Sequence, residues 1–227
     1  MISEKTNTNK IPSDTMVFND EYATKILLIR HGESLGNAVR RFLGHTDLDL
    51  TALGYEQAEK TAKLLSTVKI DKVYSSSLIR AYNTALPHAK LRGLPVIPSD
   101  ELRELYAGDW EGMYVDDIIA RFGDTYLIDW REHFGTFTVP GGENMQELAN
   151  RIYNEVLRIA KENEGKTILI GTHAAALRSF WGKITKTDPE KLASVYPFPS
   201  NASVSVVYFD GNELIPGEYS YSKHLEN

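Results

Sequence analysis

The sequence predicts an α/β fold: a three-layer sandwich with a mainly parallel central sheet, helices on both faces and a small helical insertion covering one end of the sheet. Three observations carry this reading. Two continuous apolar runs, residues 26–29 and 168–170, each stop abruptly at a polar cluster holding a histidine, His31 and His173; such runs are strands buried on both faces. Amphipathic stretches with helical spacing alternate with the strands. The order strand, helix, strand, helix, strand, insertion, helix, strand, helix, strand is the pattern of crossover connections, which make strands parallel.

The elements follow in order. Residues 1–24 are rich in Ser, Thr, Asn, Lys and Asp and read as a polar lead-in, in which Met16-Val17-Phe18 is the one apolar group suited to local docking. One domain is expected over residues 25–227. Residues 32–49 are a loop with a short helical piece. Tyr55, Ala58, Ala62 and Leu65 mark an amphipathic helix within residues 51–68. Lys72-Val73-Tyr74-Ser75 is a short strand, residues 78–91 a helix stopped at Gly93-Leu94-Pro95, and Val96-Ile97 another strand. Residues 100–142 are the insertion, with helices near 115–122 and 125–134. Asn144, with Glu147 three residues on, caps a helix whose buried stripe is Met145, Leu148, Ile152, Val156 and Ile159, ended by Gly165. A strand at 167–172 and a helix from Ala174 follow. Residues 203–209 alternate as a strand, Asp210-Gly211-Asn212 turns, and a short strand returns.

Bulk properties exclude several functions. A length of 227 residues, 42% hydrophobic and 25% charged, is ordinary for a soluble protein. The formal charge of −6 argues against general affinity for nucleic acid or anionic membrane, though a local basic pocket is compatible with it. With no cysteine there is no disulfide, thiolate metal site or cysteine nucleophile. No run has the length of a transmembrane helix and the N-terminus lacks a signal-peptide core, so a cytoplasmic protein is expected. Oligomeric state is not legible.

The chemistry lies just past the strand ends. The first strand delivers Arg30, His31 and Glu33; the second delivers Ser75 and Ser76, then Arg80 one turn into a helix; the penultimate strand delivers Thr172 and His173 at a helix start. In a parallel sheet these converge on one edge, where open α/β sheets bind ligands. Two arginines, two histidines and a helix N-terminus suit a dianion such as phosphate. A metal site is disfavoured, because no His-x-x-x-His or carboxylate spacing accompanies the histidines and two cations stand beside them. A neutral imidazole attacking phosphorus fits better, with its other ring nitrogen bonded to a backbone carbonyl. A nearby carboxyl, its pKa raised by burial, would protonate the leaving oxygen.

The residues Arg30-His31-Gly32-Glu33 resemble the signature of the histidine phosphatase superfamily, which includes the phosphoglycerate mutases and their phosphatase relatives. Further blocks match in order: Asn37; Asp49-Leu50-Thr51-Ala52-Leu53-Gly54 with Gln57-Ala58; Tyr74-Ser75-Ser76-Ser77-Leu78-Ile79-Arg80-Ala81 with Thr84-Ala85; Leu102-Arg103-Glu104-Leu105 with Gly108-Asp109-Trp110-Glu111-Gly112; Pro140-Gly141-Gly142-Glu143; and Gly171-Thr172-His173. The resemblance implies that His31 is the nucleophile, that Arg30, Arg80, His173 and Asn37 hold the phosphoryl group, and that Glu104 is the general acid. It implies no metal and no cofactor, and a small phosphorylated substrate as the only partner. Ala174-Ala175-Ala176 stands in place of the more usual Gly-Gly; the small residues keep backbone approach to phosphate at Ala174 open. Ser77 stands where many members have Asp, a change expected to touch helix capping.

Other readings are set beside these. Glu101, Glu104 and Glu111 could form a solvated acidic loop. Glu33 is read as positioning an arginine ahead of contacting the phosphate surroundings, Gly32 as allowing a tight turn, Trp110 and Trp130 as core packing ahead of lining the substrate entrance, and His45, His88, His133 and His224 as surface or local structure. Mutases of the family carry a longer insertion with extra basic residues, whereas residues 113–139 hold only Arg121 and Arg131 against five acids. A phosphatase acting through phosphohistidine is therefore favoured, ahead of a mutase-type phosphoryl transferase and a non-catalytic phosphate-binding protein. A dinucleotide-binding protein is disfavoured, since no G-x-G-x-x-G follows a strand.

Overall fold

The computed structural model describes Met16 and residues 18–226. Among the described residues six strands form one sheet: β1 (Thr24–Arg30), β2 (Lys72–Ser76), β3 (Val96–Ser99), β4 (Thr167–Thr172), β5 (Val204–Phe209) and β6 (Leu214–Pro216), in the spatial order β3-β2-β4-β1-β5-β6. The first four are mutually parallel; β5 runs antiparallel to both of its neighbours, β1 and β6. The helices are α1 (Leu35–Ala38), α2 (Ala52–Leu64), α3 (Ile79–Lys90), α4 (Val115–Phe122), α5 (Asp124–Glu132), α6 (Met145–Glu162), α7 (Ala174–Ile184) and α8 (Leu192–Val195).

The continuous apolar runs are explained by burial on both faces. In β1, Ile26 and Leu28 enter one hydrophobic cluster with α6, α7 and the insertion; Leu27 and Ile29 enter the other, with Leu65 beyond α2 and Ala85 and Ala89 of α3. Residues 203–209 were expected to alternate, but every residue of β5 is buried. The strand lies between β1 and β6 with apolar side chains in both clusters, so neither face meets solvent. Of the lead-in, Met16 is buried in the cluster that holds Leu27 and Ile29 and Phe18 packs against that cluster, whereas Val17 and residues 1–15 lie outside the described residues.

Local signals mostly act as read. Asn144 Oδ1 accepts from Glu147 N while Glu147 Oε2 accepts from Asn144 N, a reciprocal cap on α6. Ser77 does not cap α3. Its hydroxyl donates to Asp100 Oδ1 and accepts from Arg103 Nε, while Asp47, distant in sequence, accepts from Ile79 N at 2.8 Å. Gly32 is not a turn residue of the kind expected. A Cβ there would lie 2.4 Å from the Gly54 carbonyl oxygen, and one at Gly54 would lie 2.0 Å from the Glu33 oxygen; the two glycines let the loop after β1 press against the start of α2.

His88 corrects a surface assignment. It is fully buried in α3 and neither ring nitrogen has a partner. Burial, with Arg92 and His224 nearby, pushes it from 6.5 down to about 3. Above pH 6.5 the ring is neutral in folded and unfolded chains alike. Below it the unfolded chain binds a proton that the native state refuses, so stability falls by about 1.4 kcal/mol per pH unit until about pH 3. His88→Leu should therefore shrink the loss of unfolding free energy between pH 7 and pH 5 by about 2 kcal/mol. Urea denaturation at both pH values measures this, and an unchanged difference would show that His88 titrates normally.

Candidate active site

β1 and β4 are adjacent and parallel, and Arg30 pairs in register with Thr172. The next residue on each strand is a histidine. After β1 the chain leaves toward α2; after β4 it enters α7 on the other face. This is a switch point of an α/β sheet, where side chains meet in a crevice beyond the strand ends. The His31 and His173 rings lie there with centroids 5.2 Å apart.

His31 is buried, and its Nδ1 donates to the Gly32 carbonyl at 2.7 Å. That bond fixes the tautomer and leaves Nε2 with its lone pair. Burial, then Arg80 and Arg30, holds its pKa well below 6.5, so the ring is neutral at pH 7. His173 is shifted the same way, first by burial and then by Arg80 and His31. Its Nε2 shares a 2.8 Å hydrogen bond with Ser76 Oγ, while Nδ1 is buried without a partner.

The arginines are held by backbone carbonyls instead of carboxylates. Arg30 donates to Pro199 O. Arg80 donates through Nη2 to Gly44 O at 2.7 Å and through Nη1 to Thr46 O at 3.0 Å. Burial lowers Arg30 to about 10, which leaves it charged at neutral pH. Burial also lowers Arg80, opposed by Glu104, Asp47 and Glu111.

Glu104 faces the start of α7. Its carboxylate accepts from Ala176 N at 2.9 Å, Leu105 N at 3.0 Å and Ala175 N at 3.1 Å. Amide donors thus surround a half-buried group. Asn37, exposed at the crevice, forms a reciprocal cap with Ser34: its N donates to Ser34 Oγ and its Oδ1 accepts from Ser34 N.

Arg30, His31, Asn37, Arg80, Glu104 and Ala174 all line one cavity of ≈ 240 Å³. His173 adjoins this lining through His31, the two ring centroids 5.2 Å apart. Ser75 and Thr172 turn away to the Ser76 and Leu102 carbonyls. The rest of the lining is Arg41, Phe42, Leu43, Gly44, Leu105, Ala175, Trp130 and Phe198. Trp110 is core, as read, but Trp130 stacks on Phe198 at the cavity. Arg178 lies 4.2 Å from the Phe198 ring centroid and pins that wall.

Several supporting residues escaped the sequence. Glu111, for which a solvated acidic loop was the alternative reading, has a carboxylate that accepts from Ala107 N, His45 N, Thr46 N and Thr46 Oγ1 at 2.8–2.9 Å. It therefore ties down the loop whose carbonyls hold Arg80. His45 is not merely a surface residue: its Nε2 bonds to Glu104 O at 2.9 Å. Arg151 donates to the carbonyls of Glu101, Arg103 and Glu104 and pairs with Glu143, fastening the segment that carries Glu104. Glu33 makes no ion pair with an arginine; it accepts from Thr51 Oγ1 at 2.8 Å and joins the loop to α2. No spacing links Arg151 to Glu104 in the sequence, 47 residues away.

Comparison with known proteins places this geometry among relatives. Residues 26–217 match the family model described as the histidine phosphatase superfamily, branch 1. Phosphoserine phosphatase 1 of Hydrogenobacter thermophilus is 30% identical over 201 residues, 88% of this chain and 94% of that protein. A metal-independent phosphoserine phosphatase of Arabidopsis thaliana is 32% identical over 206 residues, 90% and 84% of the two chains. Among solved structures, a mycobacterial glucosyl-3-phosphoglycerate phosphatase in complex with VO3 superposes with a TM-score of 0.79 at 27% identity, covering 87% of this chain and 99% of its own.

Glu111→Gln exchanges one acceptor oxygen for an amide that faces N–H groups. The Gly44–Thr46 carbonyls should shift and loosen Arg80, weakening binding of inorganic phosphate about tenfold without loss of fold. Calorimetric titration with phosphate, beside circular dichroism, measures both; unchanged affinity would show that the loop is held by other contacts.

Proposed function

From the premise that the chain belongs to the histidine phosphatase superfamily, we propose that it is a phosphomonoesterase that hydrolyses a small phosphorylated metabolite through a phosphohistidine at His31. The observation that carries this reading is a neutral His31, its Nε2 unprotonated, among buried polar atoms that have no protein partner: Arg30 Nε, Arg80 Nε and His173 Nδ1. Unpartnered buried donors are costly unless a ligand satisfies them, and the oxygens of a phosphoryl group are suitable acceptors.

In the first step the His31 Nε2 lone pair attacks phosphorus. The bond from phosphorus to the ester oxygen breaks, and the Glu104 carboxyl gives a proton to the departing oxygen. Arg30, Arg80, His173 and the free amide of Ala174 bear on the three non-bridging oxygens, where charge spreads in the transition state. The Nδ1–H bond to Gly32 O stabilises the cationic imidazole that results. In the second step Glu104 takes a proton from water, whose oxygen attacks phosphorus; the bond to nitrogen breaks and inorganic phosphate leaves, which restores neutral His31. Both steps balance without a metal ion.

The cavity volume suits a small leaving group. A phosphatase is favoured over a mutase because the cations that line the cavity are Arg30, Arg41 and Arg80; Arg121 and Arg131 of the insertion are exposed and do not line it. A mutase must retain its substrate by the acid group while the phosphoryl group moves, and the insertion brings no cation to do so.

Release of inorganic phosphate from a panel of metabolite monoesters, with His31→Ala as the blank, tests the reading. Phosphate release that persists in EDTA and disappears in the variant is expected. Efficient interconversion of 2- and 3-phosphoglycerate with little release would overturn it. Glu104→Gln should lower turnover by about 10²–10⁴-fold, more for alkyl than aryl esters, because a poor leaving oxygen needs the proton most. Equal loss on both ester types would remove Glu104 from the acid's role.

A further inference from the structure

The segment that precedes β5 wraps the Arg30-His31 dipeptide. Pro199 O accepts from the Arg30 guanidinium and Ser203 O accepts from Arg30 N at 3.2 Å. Ala202 N is shared between Arg30 O at 3.1 Å and His31 O at 3.2 Å. Ala202 adopts φ +54°, a left-handed conformation unfavourable for a residue with a Cβ. Thr61 Oγ1 donates to its carbonyl at 2.9 Å. Between these anchors stands Asn201, whose Nδ2 donates to His31 O at 3.0 Å and to Asn37 Oδ1 at 3.3 Å.

The second of those bonds has a directional consequence. Asn37 has one amide oxygen and one amide nitrogen. Its Oδ1 is occupied on the protein side, by Ser34 N at 3.1 Å and by Asn201 Nδ2. Its Nδ2, with two hydrogens, is left for the cavity that Asn37 lines. A flipped Asn37 would set its nitrogen against two N–H donors and turn an oxygen toward an anion. The cap on α1 alone supplies one such donor; Asn201 supplies the second and joins it to the carbonyl of His31.

We propose that Asn201 is a positioning residue of the phosphate site: by bonding Asn37 Oδ1 and His31 O together, it fixes the amide of Asn37 with Nδ2 toward the phosphate and in register with the nucleophile. This rests on reading the cavity as a phosphate site. Asn201 itself does not line the cavity and touches no reacting atom.

The test is a double-mutant cycle read by calorimetric binding of inorganic phosphate, which does not require turnover. Asn201→Ala, Asn37→Ala and the double variant are compared, with Asn201→Asp as an isosteric variant that cannot donate. Asn201→Ala and Asn201→Asp should each weaken phosphate binding about tenfold while thermal unfolding still shows a folded protein. The double variant should bind no more than about twofold more weakly than Asn37→Ala, because Asn201 acts on phosphate through Asn37. Should Asn201→Ala fail to fold, Asn201→Asp keeps the shape and carries the test. Wild-type affinity in Asn201→Asp, or losses that multiply in the double variant, would overturn the proposal. A wild-type protein that binds phosphate with this coupling yet hydrolyses no monoester would support the role of Asn201 and sink the phosphatase reading; one that binds no phosphate would overturn both.

Discussion

The parallel pairing of β1 with β4 is the constraint on which the site depends. Arg30 and Thr172 face each other in register, so a histidine follows immediately on both strands. The connections then diverge to opposite faces of the sheet, which opens a crevice above two neighbouring imidazoles. A slip of one residue would turn each apolar strand residue to the other cluster and separate the rings. The observed register places His31 against His173.

Placing cations in this crevice poses an electrostatic problem. Two guanidiniums and two imidazoles crowd one another, and burial disfavours every charged form. The imidazoles respond by remaining neutral. The arginines stay charged and are steadied by carbonyl oxygens of loops, at Pro199, Gly44 and Thr46. Carbonyls orient a guanidinium without cancelling its charge, so the charge remains available to a ligand. Those loops need their own anchors, which Glu111 supplies beneath Gly44–Thr46. Arg151 does the same beneath Glu104, and Asn201 beside His31. Each catalytic candidate is therefore backed by a polar group that never reaches the cavity.

The insertion closes the opposite side with apolar surface. Trp130 stacks on Phe198, and Arg178 lies over Phe198 while bonded to the carbonyls of Tyr196 and Ala193. The cavity lining thus combines guanidiniums of Arg30, Arg41 and Arg80 with the aromatic rings of Phe42, Trp130 and Phe198.

The sequence by itself determined the strands, most helix positions, the reciprocal cap of Asn144 with Glu147, and the cluster of Arg30, His31, Arg80 and His173, because an apolar run, a 3.6-residue stripe and a polar cluster just past a strand end each announce themselves within a few residues. Asn37, Glu104 and Ala174 carry no such local signal and are identified only through the resemblance of motifs in order. Tertiary structure decided what depends on distant backbone. Gly32 is small because Gly54 packs on it, not because the chain turns there. Ser77 does not cap its helix because Asp47 arrives first. Glu33 holds Thr51 instead of an arginine, and His88 is buried because α3 packs against the sheet. Glu111, Arg151 and Asn201 act by bonding backbone groups from elements far away in the chain, and a backbone carbonyl is the same at every residue. No pattern of side chains can reveal which one will be brought within 3 Å, so the supporting network became visible only when the chain was folded.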